Sequence, residues 1–216
     1  MMARRGLLGG TFDPVHAAHL ALADAAYRTL GLDGVWFLPA GEPWMKRDAR
    51  LSAKGHRRAM VELAIAGDER FHLSTLELER PGPTYTVDTL EELRRGEAPG
   101  WDGELWFIVG ADTLGSMHRW KDPERLLALA RVAVATRPGA GEPDLGPLEA
   151  VAPNARERVT TLPMPPMDVS GTDVRSRAAG GEPLDGLVPE AVAAYIARHD
   201  LYGGTHPQPA ATSREG

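Results

Sequence analysis

Two histidines, His16 and His19, stand three residues apart just behind Gly9-Gly10-Thr11-Phe12-Asp13-Pro14. Imidazoles can donate hydrogen bonds to phosphate oxygens, and residues three apart on a helix share one face. Arg5-Gly6-Leu7-Leu8 reads as a short strand. Leu20, Ala23, Tyr27 and Leu30 follow at helical spacing over residues 16–30. The sequence thus predicts a strand, a glycine turn and a helix, with both histidines around the helix's first turn. Gly9 and Gly10 carry no Cβ to hold an anion away from backbone N–H groups, and a helix start supplies free donors and partial positive charge. With Thr11 and Phe12 they form a candidate phosphate site suited to nucleotide chemistry. A helix-start histidine can also be a simple cap or a solvated residue, but that reading leaves the glycine turn unexplained. A zinc site lacks its further ligands, since the chain has no cysteine.

The elements that must position this turn can be read further along the chain. Gly34–Pro39 reads as a second strand, Ala53–Ala66 as a helix and Phe71–Leu78 as another short strand. Thr84-Tyr85-Thr86 opens a helix ending near Arg95. Glu104–Val109 is a buried strand closed by Gly110, with helical pattern over Ala111–Met117 and Pro123–Leu129. Arg131–Thr136 and Val159–Leu162 are further strands. Strands alternating with helices predict a single α/β domain, a doubly wound, Rossmann-like parallel sheet with helices on both faces. Its ligands belong at the carboxyl ends of the strands. Gly110 and Asp112 stand at such an end; Asp112 either caps the next helix or reaches a ribose or metal-linked group. Ser170, Thr172 and Arg175 open a helical pattern ending near Gly180, a second place where N–H groups and a guanidinium can face an anion. A last helix starts at Pro189, with Val188, Val192, Tyr195, Ile196 and His199 as its apolar face. Residues 96–103 and 138–153 read as surface connections. Residues 1–202 form the domain, and 203–216 read as a disordered tail rich in Gly, Pro, Ser and Thr.

Composition narrows the function classes. The chain has 216 residues, 43% of them hydrophobic and 25% charged, ordinary values for a globular protein. A net charge of −6 argues against nonspecific binding to nucleic acid or acidic membranes. Arg4-Arg5 precedes an apolar run too short for a signal peptide, and no run approaches a membrane span. These features read as cytoplasmic.

The glycine turn with His16 and His19 resembles the signature of the nucleotidyltransferases that carry an HxGH element. Within that superfamily the chain is similar to bacterial nicotinate-nucleotide adenylyltransferases from Arg5 to Tyr202. Separate blocks carry the likeness: Arg80-x-Gly82-x-x-Tyr85-Thr86-x-Asp88-Thr89-Leu90, Phe107-Ile108-Val109-Gly110-Ala111-Asp112, Trp120-Lys121, Arg137-Pro138-Gly139 and Val169-Ser170-Gly171-Thr172-Asp173-Val174-Arg175-Ser176-Arg177. Three departures stand out. Ala18 replaces the glycine of HxGH, Gly171 replaces a serine, and Trp44-Met45 replaces Pro-His before Lys46.

The resemblance implies adenylyl transfer from ATP to nicotinate mononucleotide, giving deamido-NAD and pyrophosphate for NAD biosynthesis. It assigns His16, His19, Lys46 and Arg175 to the triphosphate. Gly9, Gly10, Thr11, Phe12, Gly110, Asp112, Ser170 and Thr172 would bind the nucleotide, Thr84, Tyr85 and Thr86 the pyridine nucleotide, and Trp120 would stack on its ring. Mg²⁺ would travel with ATP, held mostly through water, and no protein metal site is expected. The attacking phosphate is already ionised, so direct in-line displacement needs alignment and charge stabilisation rather than a base. Competing readings are an adenylyltransferase for nicotinamide mononucleotide or phosphopantetheine, a cytidylyltransferase, or a silent nucleotide-binding regulator. A homo-oligomer stays open.

Overall fold

The computed structural model describes residues 2–43, 51–96, 101, 103–136, 141–165 and 167–203. The first strand, β1 (Arg4–Gly10), places Leu7 and Leu8 on opposite faces, each at most 2% exposed. A strand buried on both faces must be sandwiched between helix layers. It pairs in parallel with β2 (Gly34–Pro39) on one side and β6 (Glu104–Gly110) on the other, so Leu7 faces Trp36 and Phe107 in register. The sheet continues from β2 to β4 (Phe71–Leu73), and from β6 to β7 (Arg131–Thr136) and β8 (Val159–Pro163). The spatial order is β4-β2-β1-β6-β7-β8, every pair parallel. The chain winds outward from β1 and then returns to wind the other way from β6. A crevice therefore opens past the carboxyl ends of those two strands.

Each face has its own apolar core. Leu8, Val35, Phe37, Ile108 and Ala133 meet α1 (Ala17–Leu30), α2 (Lys54–Ile65), α9 (Gly171–Ala179) and α10 (Glu190–Arg198). Leu7, Leu105, Phe107, Val109, Val132 and Val134 meet α4 (Thr86–Arg94), α5 (Ala111–Ser116), α6 (Pro123–Leu129), α7 (Gly146–Glu149) and α8 (Ala155–Arg158). The period of two along β6 and β7 sends alternate residues to the two cores. Helix α6 begins where its sequence says it must. Pro123 sits at the first position, and the Asp122 side chain accepts from Arg125 N at 3.0 Å.

Several expectations need correction. The strand expected over Phe71–Leu78 ends at Leu73, and α3 (Leu76–Glu79) follows. The Ser74 N–H donates to Phe37 O at 2.9 Å as the sheet register runs out, and the short apolar run is then free to coil. Thr84 is not helical; with Pro83 it forms β5, paired with β3 (Glu42–Pro43) in a separate two-stranded ribbon. Residues 138–153 are more than a surface connection. Leu145, Leu148 and Ala152 are buried around α7, on a helical spacing hidden among glycines and prolines. Trp101, in the other expected connection, is buried edge-on against Trp36 at 4.9 Å. Pro189 caps α10 rather than opening it, and His199 is exposed. The Arg137-Pro138-Gly139 block and the tail beyond Gly203 lie outside the described residues.

The ribbon depends on a close backbone approach. A Cβ on Gly41 would lie 2.1 Å from the Glu77 carbonyl oxygen, whereas one on Gly55, in the first turn of α2, meets nothing within 4 Å. Gly41→Ala is therefore expected to lower Tm sharply, while Gly55→Ala raises stability by about 0.4–1 kcal/mol through loss of unfolded-state freedom. Thermal and urea unfolding of the two variants checks both signs.

Candidate active site

The crevice beyond β1 and β6 holds an open cavity of about 190 Å³, lined among others by Gly9, Gly10, Thr11, Glu77, Thr84, Thr86, Phe107, Thr113 and Trp120. Residues that the sequence placed in separate motifs thus share one wall. Trp120 is half-buried and packs edge-to-face on Phe107 at 6.0 Å, its indole Nε1 buried without a hydrogen-bond partner among the described residues. Lys121 grips both carboxylate oxygens of Asp88, at 2.7 and 2.8 Å, and lies 5.0 Å from the Tyr85 ring centroid. That contact ties the segment carrying Trp120 to the first turn of α4. Tyr85 is the cap of α4 but provides no side-chain cap bond.

Beside the cavity, His16 caps α1 and His19 stands in its first turn, their rings stacked 3.7 Å apart. The His16 backbone N–H donates to His19 Nδ1 at 3.2 Å. A backbone N–H can only donate, so Nδ1 carries the lone pair and a neutral His19 holds its proton on Nε2. Burial drives the His16 pKa down from 6.5 to about 4, so that ring is neutral at pH 7. Phe12 lies in the left-handed region (φ 48°) and is 1% exposed, its ring edge-on to His19 at 4.9 Å. Its side chain belongs to the core beneath the histidines, which leaves only its backbone to face a ligand.

The second anion motif arrives at the same turn from far along the chain. Arg175 Nη1 donates to the Asp13 carbonyl oxygen at 2.8 Å across 162 residues, and Nη2 donates to Thr172 Oγ1 at 3.1 Å. A guanidinium has five N–H donors, so three are left for an anion. Ser170 Oγ is spent on capping α9, accepting from Asp173 N at 3.1 Å, while Thr172 is exposed. Gly110 caps α5, and Asp112 lies exposed in its first turn outside the cavity lining. Lys46, with Trp44 and Met45, lies outside the described residues.

Three residues that sequence reasoning missed hold this arrangement. Arg57 is 1% exposed and donates to four carbonyls, those of Ser52, Thr11, Ala40 and Gly41, at 2.6–3.1 Å. It joins the turn after β1 to the segments after β2 and before α2. A signal existed: Arg57 shares the buried stripe of α2 with Val61 and Ile65, a place for an apolar residue. Glu77 is buried in the cavity wall and accepts from Thr89 Oγ1 at 2.8 Å. Burial raises its pKa, opposed by the hydrogen bond from the Thr89 hydroxyl. Tyr202 donates to Asp13 Oδ1 at 2.7 Å. Neither announces itself in the sequence.

Known proteins resemble this chain over most of its length. The cytidylyltransferase-like family profile matches residues 7–177. A Bordetella pertussis protein named "Probable nicotinate-nucleotide adenylyltransferase" is 46% identical over 201 residues, covering 93% of this chain and 98% of that protein. The chain belongs to the cytidylyltransferase-like family, among its nicotinate-nucleotide adenylyltransferases. A Nocardioides member of the same name is 43% identical over 90% of this chain and 92% of its own. The fold of this adenylyltransferase matches that of Plasmodium falciparum nicotinic acid mononucleotide adenylyltransferase complexed with NaAD. There the TM-score is 0.73 at 19% identity, over 93% and 97% of the two chains. Among the described residues no helix is long and apolar enough to cross a membrane.

The depressed His16 pKa has a consequence for folding. The unfolded chain takes up a proton near pH 6.5 and the folded one only near 4. The stability owed to the neutral ring is thus intact above pH 6.5 and is lost as pH falls toward 4. His16→Gln, which cannot titrate, is expected to lose Tm less steeply than the unaltered protein over that interval. Parallel Tm–pH curves would show that His16 is not the group responsible.

Proposed function

We propose that this chain transfers the adenylyl group of ATP to nicotinate mononucleotide, releasing pyrophosphate and forming deamido-NAD. The observation that carries this reading is the junction of two anion motifs at Asp13, next to a cavity walled by Trp120 and the start of α4. A phosphate oxygen of the mononucleotide attacks the α-phosphorus of ATP. The new P–O bond forms as the bond to the β-phosphate oxygen breaks, and pyrophosphate leaves with the electron pair. The nucleophile is ionised at neutral pH, so the protein's work is to align two mutually repelling anions and stabilise developing charge.

His19 presents its Nε2–H to the α-phosphoryl oxygens, with Nδ1 fixed by the His16 backbone. His16, Thr172 and the free N–H groups of Arg175 take the remaining phosphates, and Lys46 joins them. The backbone of Gly9, Gly10, Thr11 and Phe12 closes around the nucleotide, with Gly110, Asp112 and Ser170 at the rim. Among the described residues no group of three His, Asp or Glu side chains could hold a metal ion. Mg²⁺ would arrive with the substrate as MgATP and would supply charge neutralisation for the leaving pyrophosphate. The work is done in the cytoplasm by residues 1–202, and removal of 203–216 is expected to leave Tm and activity unchanged.

At the other end of the cavity, the backbone N–H groups at the start of α4, around Thr84, Tyr85 and Thr86, offer donors without acceptors. These suit a carboxylate better than an amide, whose NH₂ would go unpaired. The raised pKa of Glu77 lessens repulsion in the same wall. Trp120 stacks on the pyridine ring and fixes its plane.

Steady-state kinetics test the reading. With saturating ATP, nicotinate mononucleotide should exceed its amide by at least about tenfold in kcat/KM, which needs only ~1.4 kcal/mol, and phosphopantetheine should give no pyrophosphate. Trp120→Ala should raise KM for the mononucleotide far more than for ATP. His19→Ala should fold normally and lose about 10²–10³ in kcat. Equal efficiency toward acid and amide, or a folded His19→Ala with ordinary kcat, would overturn these assignments.

A further inference from the structure

Tyr202 follows α10 and reaches back across 189 positions to the turn after β1. Its φ of 72° is a conformation that a tyrosine keeps only where its surroundings hold it. The ring packs partly buried against the core of the α1 face, and the hydroxyl donates to Asp13 Oδ1 at 2.7 Å. The other carboxylate oxygen, Oδ2, accepts from the Ser52 N–H at 2.9 Å, and Asp13 is 4% exposed. Both oxygens of one buried carboxylate are thereby committed. Burial and the neighbouring Asp13 charge push the Tyr202 hydroxyl above its ordinary pKa, so it keeps its proton and remains a donor. Asp13 then presents its main-chain oxygen to Arg175 Nη1, and its backbone leads through Pro14 and Val15, both buried, to His16.

We propose that Tyr202 is a positioning residue for the triphosphate site. Through Asp13 it fixes the carbonyl on which Arg175 rests and the turn that carries His16 and His19. Without the hydroxyl, one oxygen of a buried carboxylate loses its partner and the Asp13 side chain turns toward another. The peptide under Arg175 turns with it. The effect should fall on the phosphate half of the site and spare the pyridine half, which is tied to α4 by Lys121 and Asp88. This inference rests on the proposed function, because it takes the anion at Arg175 to be the triphosphate of ATP.

The test combines calorimetric titration of a non-hydrolysable ATP analogue with steady-state kinetics and Tm for the unaltered protein, Tyr202→Phe, Arg175→Ala and the double variant. Tyr195→Phe is the control. Its hydroxyl, on α10, meets His56 Nδ1 at 3.0 Å, and Tyr195 does not line the cavity. Tyr202→Phe is expected to weaken the analogue and raise KM for ATP by about fivefold to tenfold, less than the full worth of a hydrogen bond to a charged group because the loss reaches ATP only through Asp13. KM for the mononucleotide should stay within about twofold, and Tyr195→Phe should leave ATP binding unchanged. In the Arg175→Ala background, Tyr202→Phe should weaken ATP by a smaller factor than it does alone, because the share that acts through the Asp13 carbonyl is already lost. If Tyr202→Phe does not fold, Asp13→Asn disturbs the same link from its other side and should give the same ATP-selective defect. Ordinary ATP binding in the folded variant, an equal loss in Tyr195→Phe, or effects that multiply in the double variant would overturn the inference. If the unaltered protein makes no deamido-NAD and binds no analogue, the proposed function itself fails. If it does both and Tyr202→Phe matches it, only the positioning role fails.

Discussion

The site depends on a pair of buried opposite charges, Arg57 and Asp13, at the carboxyl end of β1. Taking such groups out of water costs several kcal/mol each unless partners replace the lost hydration. Here the partners are mostly backbone. Arg57 spends four N–H donors on carbonyls from three segments, and Asp13 spends its carboxylate on Ser52 N–H and the Tyr202 hydroxyl. A buried charged pair of this kind is weak support for stability but strong specification of geometry, since any other arrangement leaves a charge or a carbonyl unpaired in the interior. The glycine-rich turn beside it would otherwise be free to wander. Donors set before the substrate arrives need no reorganisation when charge develops on the phosphates, which is where a direct displacement gains most of its rate.

Topology decides where that turn points. Because β1 lies between β2 and β6 and the chain winds away from it in both directions, a crevice opens at the carboxyl ends of β1 and β6. The starts of α1 and α5 and the β3–β5 ribbon stand around the opening. The two halves of the site are held differently. The phosphate half rests on buried charge and on hydrogen bonds spanning 46 to 189 residues. The pyridine half is tied by the Lys121–Asp88 pair, which is exposed and worth at most about 1 kcal/mol. The firmer half is the one in which like charges must be forced together.

Patterns carried by neighbouring residues were legible in the sequence. The strand–turn–helix with His16 and His19, the strand over 131–136, the helix over 123–129 and the parallel α/β class all follow from spacing and caps within a dozen residues. Two candidate anion motifs were legible as well, but not that Arg175 meets the Asp13 carbonyl. Where the local pattern was short or mixed, it misled. Phe71–Leu78 could be strand or helix until the register with β2 ran out, and Leu145, Leu148 and Ala152 were hidden among prolines and glycines.

What the sequence determined by itself was on which kind of element the candidate groups sit, because glycine freedom, helix starts and apolar period are properties of adjacent residues. Only the tertiary structure decided how those groups are held. Arg57, Glu77 and Tyr202 have ordinary sequence surroundings and acquire their roles from partners 5 to 189 residues away, or from burial alone. Their chemistry also changes on folding: His16 becomes neutral because water is removed from it, and His19 takes its tautomer from a backbone N–H aimed at Nδ1. Desolvation and aimed hydrogen bonds exist only once distant segments have been packed together, and a linear chain carries no record of them.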